Sequence, residues 1–227
     1  MRFAKLLGLA ALLAALSLGA PAADAAKGKP HRTIFIGLDL SRSNPLVVDA
    51  RYAQKVADRV GPMIKPLKIY DEVKIRTFGS YDPREQPLHI DQIVSARVLP
   101  DEVAEVTTGV IAGVPTLVER GTLKVQESTH ILGFLDNMAQ IVDCKKRETT
   151  IILASDGIEE SEEAKLTSER GALPKPQGQP FAGCASLQIL GLGVGQKNPQ
   201  LTLHLRVQWA AWAKAAGFEK FEGLNDW

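Results

Sequence analysis

A carboxylate and two hydroxyls lie two residues apart in a short loop-like stretch, Asp39-Leu40-Ser41-Arg42-Ser43, directly after an apolar run. In a loop that leaves a strand, residues two apart can turn toward the same point, so these three oxygen-bearing side chains converge. Mg²⁺ takes about six oxygen ligands at roughly 2.1 Å and retains water readily. The pattern therefore predicts a loop that binds a hard divalent cation.

A second carboxylate follows a second apolar run. Asp156 lies in Ser155-Asp156-Gly157, after the apolar residues 149–154. In open parallel sheets the binding crevice lies outside the carboxyl ends of the strands, so we expect Asp39 and Asp156 to face one crevice. Zinc and copper are disfavoured because the chain has only two Cys, and its four His are scattered: His31, His89, His130 and His204.

Apolar runs alternate with amphipathic segments along the whole chain, which is typical of an α/β fold. We expect an open, mostly parallel, doubly wound (Rossmann-like) sheet flanked by helices. Trp209 and Trp212, at helical spacing, are expected in the core. Strands are predicted at 33–38, 71–78, about 90–96, 149–154, 186–194 and 218–221, with a polar loop at 79–87, and helices at 45–66, 101–119, from Ser128 or Thr129 to 142, and 203–216.

Together, the two motifs and the predicted sheet resemble the von Willebrand factor A (vWA) family over residues 33–194. The metal-ion-dependent adhesion site (MIDAS) of that family combines D-x-S-x-S, a Thr from a second loop and an Asp from a third. The resemblance implies that the third-loop Asp is Asp156. It implies that the second-loop ligand is Thr129, with the adjacent Ser128 as the alternative. The implied metal ligands are thus Asp39, Ser41, Ser43, Thr129 and Asp156.

By the same resemblance, the chain is a metal-dependent protein-binding module for adhesion or assembly. The implied cation is Mg²⁺, with Mn²⁺ and Ca²⁺ as alternatives, and a Glu or Asp of the partner protein completes its coordination. No catalytic residue is expected. One alternative is a Mg²⁺-dependent phosphohydrolase with Asp39 as nucleophile, although such enzymes usually carry D-x-D where this chain has Ser41. Another is a vWA scaffold that binds no metal.

The first 25 residues have the layout of a bacterial secretory signal peptide: a basic start, an apolar core at 6–18 and small residues before a cleavage site. A flexible lead-in is expected at 26–32 and one vWA-like domain at 33–227, without a stable membrane span after cleavage.

Cleavage of the signal peptide would remove Arg2, Lys5 and Asp24, which leaves equal numbers of acidic and basic side chains. A neutral protein lacks the field that collects nucleic acid. We expect a periplasmic or secreted protein that does not bind nucleic acid.

Two further features concern residues outside the predicted metal site. Cys144 and Cys184 form an even pair, for which a disulfide is expected in an oxidising compartment. Each precedes a predicted strand, so the bond would lie at the end of the sheet opposite the metal. The acidic stretch from Glu159 to Glu163 is expected to be the first turn of a helix or a solvated face, with an auxiliary Ca²⁺ site as the alternative.

Overall fold

A six-stranded open sheet lies at the centre of the structure, a computed structural model that describes residues 30–79 and 88–227. The strand order is β3-β2-β1-β4-β5-β6, and every neighbouring pair is parallel except β2 with β3. The predicted fold class is therefore confirmed. The strands are β1 (Arg32–Asp39), β2 (Glu72–Phe78), β3 (His89–Ile93), β4 (Glu148–Ala154), β5 (Ser186–Leu190) and β6 (Lys220–Leu224).

Two helices cover each face of the sheet. Val56 of the first helix packs in one buried cluster with Ile36 of β1, and Trp209 of the fourth packs in another with Phe35 of β1. Successive side chains of β1 thus enter opposite cores, which explains why its sequence is apolar without alternation. The helices are α1 (Ala50–Ile64) and α2 (Pro100–Glu119) on one face, and α3 (Ile131–Ala139) and α4 (Pro199–Ala216) on the other.

The order of the strands fixes where a ligand crevice forms. The chain continues from β1 to its neighbour β2 on one side, and from β4 to its neighbour β5 on the other. β1 and β4 are adjacent and parallel, so the connections that leave their carboxyl ends diverge. In open α/β sheets the binding crevice lies at this switch point. Asp39 ends β1, and Asp156 follows β4 by two residues.

Several predicted helix boundaries were wrong. The single helix expected at 45–66 is a short 3-10 helix (Pro45–Val47) followed by α1, whose first amides are capped by Asp49. The helix expected to be capped by Ser128 or Thr129 has His130 at its N-cap, without a cap hydrogen bond from that side chain. α4 begins at Pro199, earlier than predicted, and Gly217 ends it as expected.

A disulfide joins Cys144 and Cys184, as the sequence predicted, across 40 residues. The two cysteines precede β4 and β5, which are neighbours in the sheet, so the bond lies at the end opposite Asp39 and Asp156. A bond of this kind stabilises a fold mainly by restricting the unfolded chain. Within residues 30–79 and 88–227, no helix has the length and apolar character that a membrane span requires.

The segments expected to be the signal peptide (1–25) and most of the lead-in (26–32) lie outside the described residues, as do residues 80–87 of the predicted polar loop. The predicted division at residue 33 therefore stays a prediction. Trp209 and Trp212 are buried in the core as predicted.

Candidate metal centre

Two buried carboxylates face the crevice at the carboxyl ends of β1 and β4. Asp39 and Asp156 both have no exposed surface. In the part of the chain that the structure describes, neither forms an ion pair with a Lys or an Arg. A buried charge is normally paired or bound to a metal, because its removal from water is costly. A bound cation would therefore balance the negative charge of these two carboxylates, which no described Lys or Arg does.

Asp39 is held by the residues of both loops. Its Oδ1 accepts a hydrogen bond from the backbone N–H of Ser41 at 2.8 Å. Its Oδ2 accepts one from the hydroxyl of Ser155 at 2.7 Å, and the Ser155 Oγ in turn accepts the backbone N–H of Gly157 at 3.0 Å. The loop after β1 and the loop after β4 are thereby joined through one carboxylate.

The two serines of the first motif connect this arrangement to Asp156. The Oγ atoms of Ser41 and Ser43 lie 3.4 Å apart. Burial raises the pKa of Asp156, and the backbone N–H of Ile158 and the nearby Ser43 hydroxyl partly counteract that shift. The Oδ1 of Asp156 also accepts the backbone N–H of Ile158 at 2.9 Å. Ser41 is buried and Ser43 is exposed, so this cluster of Asp and Ser side chains is accessible to solvent at Ser43. The loops after β1 and β4 thus place four of the five predicted ligands close together at one end of the sheet.

Backbone hydrogen bonds fix the position of Thr129, the fifth predicted ligand. Its N–H donates to the carbonyl of Glu160 at 3.3 Å, and the N–H of Glu160 donates back to the Thr129 carbonyl at 3.0 Å. Three residues earlier, Gln126 exchanges backbone hydrogen bonds with the loop after β1, through Leu40 and Arg42 at 2.9 Å each. The loop that carries Thr129 is therefore bound to both of the other loops of the candidate site.

The pKa values of the two carboxyl groups are raised, by burial at both and by the neighbouring charge at Asp39. Burial, and next the charge of Asp156, raise the pKa of Asp39 to about 7. Burial also raises the pKa of Asp156. Burial and the same two charges raise the pKa of the Tyr52 hydroxyl above its ordinary value. Each shift has the direction expected for a buried acidic group, and nearby negative charge adds to it for Asp39 and Tyr52.

The Oδ2 of Asp156 is buried and has no hydrogen-bond partner among the described residues. An unsatisfied carboxylate oxygen is costly in a protein interior, and a cation would satisfy it. The donor set consists of carboxylates and hydroxyls. In the described ranges, no three or more His, Cys, Asp and Glu side chains are grouped so that they could hold a metal ion. Carboxylate and hydroxyl oxygens are ligands that suit a hard cation such as Mg²⁺, whereas zinc prefers nitrogen and sulfur ligands. Binding of Mg²⁺ stays a prediction.

Sequence reasoning missed Asn44, which joins the ends of the two central strands. Its Nδ2 donates to the backbone carbonyls of Asp39 and Ala154, each at 2.9 Å, and its side chain is fully buried. An Asn just before Pro45 is a recognisable helix-start signal, and its Oδ1 does accept the N–H of Leu46. The two contacts to the strand ends could not be read from that signal, because they depend on a residue 110 positions away.

The expectation for the acidic stretch at 159–163 was wrong for its first member. No helix forms there, and Glu159 is completely buried. Its Oε2 accepts the backbone N–H groups of Ile131 and Leu132 at 2.8 and 3.0 Å, at the first turn of α3. The exposure of Glu160, Glu162 and Glu163 does agree with a solvated face.

Comparisons with known proteins give a likeness in overall structure only. No protein-family model matches the chain, and no curated protein matches it significantly. BatB, a conserved hypothetical protein of Bacteroides thetaiotaomicron, is 14% identical, with 86% of this chain and 91% of that one covered and a TM-score of 0.45. Proximal thread matrix protein 1 of the mussel byssus is also 14% identical, with 87% and 42% covered and a TM-score of 0.44.

The pilus adhesin SpaC of Lactobacillus rhamnosus GG is 10% identical, with 88% of this chain and 28% of that one covered and a TM-score of 0.45. The chain thus spans less than half the length of the mussel protein and of the Lactobacillus protein. These likenesses concern the fold alone.

Proposed function

We propose that the chain is a metal-dependent protein-binding module of the vWA type. One observation carries the proposal: two buried carboxylates, with no cationic partner among the described residues, lie with two serine hydroxyls at the switch point of the sheet. Structural ion pairs would neutralise such charges with Lys or Arg. The unpartnered Oδ2 of Asp156 adds a donor atom that nothing in the described chain uses.

In the proposed site, Asp39 and Asp156 balance the charge of the cation, and Ser41, Ser43 and Thr129 shape its coordination. Bound Mg²⁺ would supply a coordination position that a partner's carboxylate completes. The exposure of Ser43 supports access from solvent at this side of the site. The partner is therefore proposed to be a protein that offers a Glu or an Asp on its surface.

We also propose that the chain is not an enzyme. A nucleophilic Asp must present a free oxygen to its substrate. Asp39 is completely buried, and both of its carboxylate oxygens accept hydrogen bonds, from Ser41 and Ser155. Neither oxygen is therefore exposed to a substrate, which argues against attack on a phosphate ester. Turnover of p-nitrophenyl phosphate with Mg²⁺ that is lost in Asp39→Asn would instead support the phosphohydrolase.

The proposed place of action is the bacterial periplasm or the cell exterior. The disulfide between Cys144 and Cys184 supports this proposal, because such bonds persist in oxidising compartments. The signal-like sequence of residues 1–25 agrees with it.

Affinity capture from envelope extracts tests the partner-binding role. The immobilised protein should retain a set of proteins in Mg²⁺ and release it in EDTA. Asp156→Asn should not retain this set, because it removes a charge that holds the cation. Asp136→Asn is the matched control: it makes the same change at an exposed residue of α3 and should behave as wild type. A bound set that is identical with and without EDTA would remove the metal from recognition.

A further inference from the structure

Glu159 forms an unusual contact for an acidic side chain. It is fully buried, and one of its oxygens, Oε2, accepts the first two backbone N–H groups of α3, those of Ile131 and Leu132. The other oxygen, Oε1, is buried without a hydrogen-bond partner among the described residues. The helix N-terminus favours a negative charge, but burial of a carboxylate is costly. A Ser or Asp at the N-cap would ordinarily accept the N–H of the second or third helical residue instead.

The contact differs from an ordinary cap in what it joins. The N-cap residue of α3, His130, makes no cap hydrogen bond with its side chain. The capping group comes instead from 28 residues away along the chain, three residues after Asp156. Glu159 therefore ties the start of α3 to the loop that carries Asp156.

The neighbouring backbone extends this connection to Thr129. Glu160, which follows Glu159, exchanges two backbone hydrogen bonds with Thr129, which lies two residues before the first capped amide. The side chain of Glu159 and the backbone of Glu160 thus hold the same two segments together at adjacent points. Among the described residues, Thr129 has no other hydrogen bond to the loop of Asp156, so its distance from that carboxylate depends on these contacts.

We propose that Glu159 is a positioning residue for the candidate metal centre, which holds the Thr129 loop at a fixed place relative to Asp156. This inference rests on the proposed function in assigning Thr129 as a ligand. Residues that hydrogen-bond to metal ligands hold those ligands in the right orientation. Loss of such a residue typically lowers metal affinity about 10–100-fold. Glu159 acts in this way through the N-terminus of α3, without contact with the cation.

Titration with Mg²⁺ alone tests the inference in three variants. Glu159→Ala removes both contacts to α3 and should weaken Mg²⁺ binding by about tenfold or more. Glu159→Gln keeps an oxygen that can accept both amides and should stay close to wild type. Met138→Ala removes a buried side chain at the other end of α3 and should destabilise the protein without weakening Mg²⁺ binding. Urea unfolding of each variant separates loss of affinity from loss of stability.

Hydrogen exchange in metal-free protein gives a second readout. Glu159→Ala should speed the exchange of the amides of Thr129, Ile131 and Leu132, whereas Met138→Ala should leave them protected in the folded state. Two results would overturn the inference: wild-type Mg²⁺ affinity in folded Glu159→Ala, or an equal loss of affinity in Met138→Ala. If wild type binds no Mg²⁺, the proposed function fails, and unchanged exchange in Glu159→Ala would separately refute the positioning of the Thr129 loop.

Discussion

The metal-free protein should lose stability as the pH rises from about 5 to about 8. The cause is the carboxyls whose pKa is raised by burial: Asp39 and Glu159, both to about 7, and Asp156. In this range the folded protein binds more protons than the unfolded chain, because each group titrates near pH 4 once it is exposed. The free energy of unfolding therefore falls as the protons leave.

The size of this effect follows from the proton count. One extra proton on the folded state corresponds to roughly 1.4 kcal/mol per pH unit, so the buried groups together should cost on the order of a few kcal/mol between pH 5 and pH 8. The carboxyls with a lowered pKa are Asp91, Asp143 and Asp226, and their contribution is lost only as the pH falls below their ordinary range near 4. The lowered pKa values of these three carboxyls therefore do not offset the loss of stability between pH 5 and pH 8.

Mg²⁺ should reverse the loss of stability at the higher pH. A cation that binds the charged carboxylates stabilises the folded state in proportion to its affinity, and at pH 5 it must displace protons first. The rise in melting temperature on addition of Mg²⁺ should thus be larger at pH 8 than at pH 5. Asp39→Asn should make the pH profile shallower, because Glu159 still contributes to it, and should abolish the Mg²⁺ effect. Metal-free protein that gains stability from pH 5 to pH 8 would contradict the assignment of these shifts.

Replacement of Trp209 by Ala should cost about 3–5 kcal/mol of unfolding free energy, as is typical for a fully buried large aromatic side chain. The indole also donates a hydrogen bond of 2.7 Å to the carbonyl of Gly157, the residue after Asp156. Trp209→Phe keeps most of the packing but leaves that buried carbonyl without this donor, at a cost of about 1–3 kcal/mol. Because the Asp156 loop then loses a support, Mg²⁺ binding should weaken too.

Trp212→Phe is the matched control for this prediction. Trp212 lies on the same helix, is nearly fully buried and packs edge-on against Trp209 at 5.8 Å between ring centroids. The same replacement there should lower stability without a change in Mg²⁺ affinity. Urea unfolding with unchanged m-values and Mg²⁺ titration measure the two effects. Equal Mg²⁺ affinities of Trp209→Phe and wild type would show that the bond to Gly157 does not support the candidate site.

The positions of Asp39 and Asp156 could be predicted because they depend on strands with a simple pattern. Both apolar runs are buried on two faces, and parallel neighbours end at the same edge of the sheet. The contacts of Ser41 and Ser43 follow from their closeness in sequence to Asp39. The role of Thr129 was assigned by resemblance, and its place at the site depends on backbone pairing with Glu160, which leaves no signal in the sequence.

Glu159 and Asn44 could not be predicted, since each acts on a segment far away along the chain. Glu159 belongs to a run of acidic residues whose other members are exposed, so composition favours a solvated face. Its burial depends on the unsatisfied amides of α3, which become visible only when the N-cap is known to be His130. Asn44 resembles an ordinary helix cap, and its contacts to Asp39 and Ala154 depend on the pairing of β1 with β4.

The most direct test of the proposed metal centre is calorimetric titration of the purified metal-free protein with Mg²⁺, repeated with Mn²⁺. Wild type and Asp136→Asn should each bind one cation per chain, and Asp39→Asn should bind none, because it removes one of the two charges that face the crevice. Identical flat titrations of wild type and Asp39→Asn would contradict a metal centre at these residues, and so would equal binding by both.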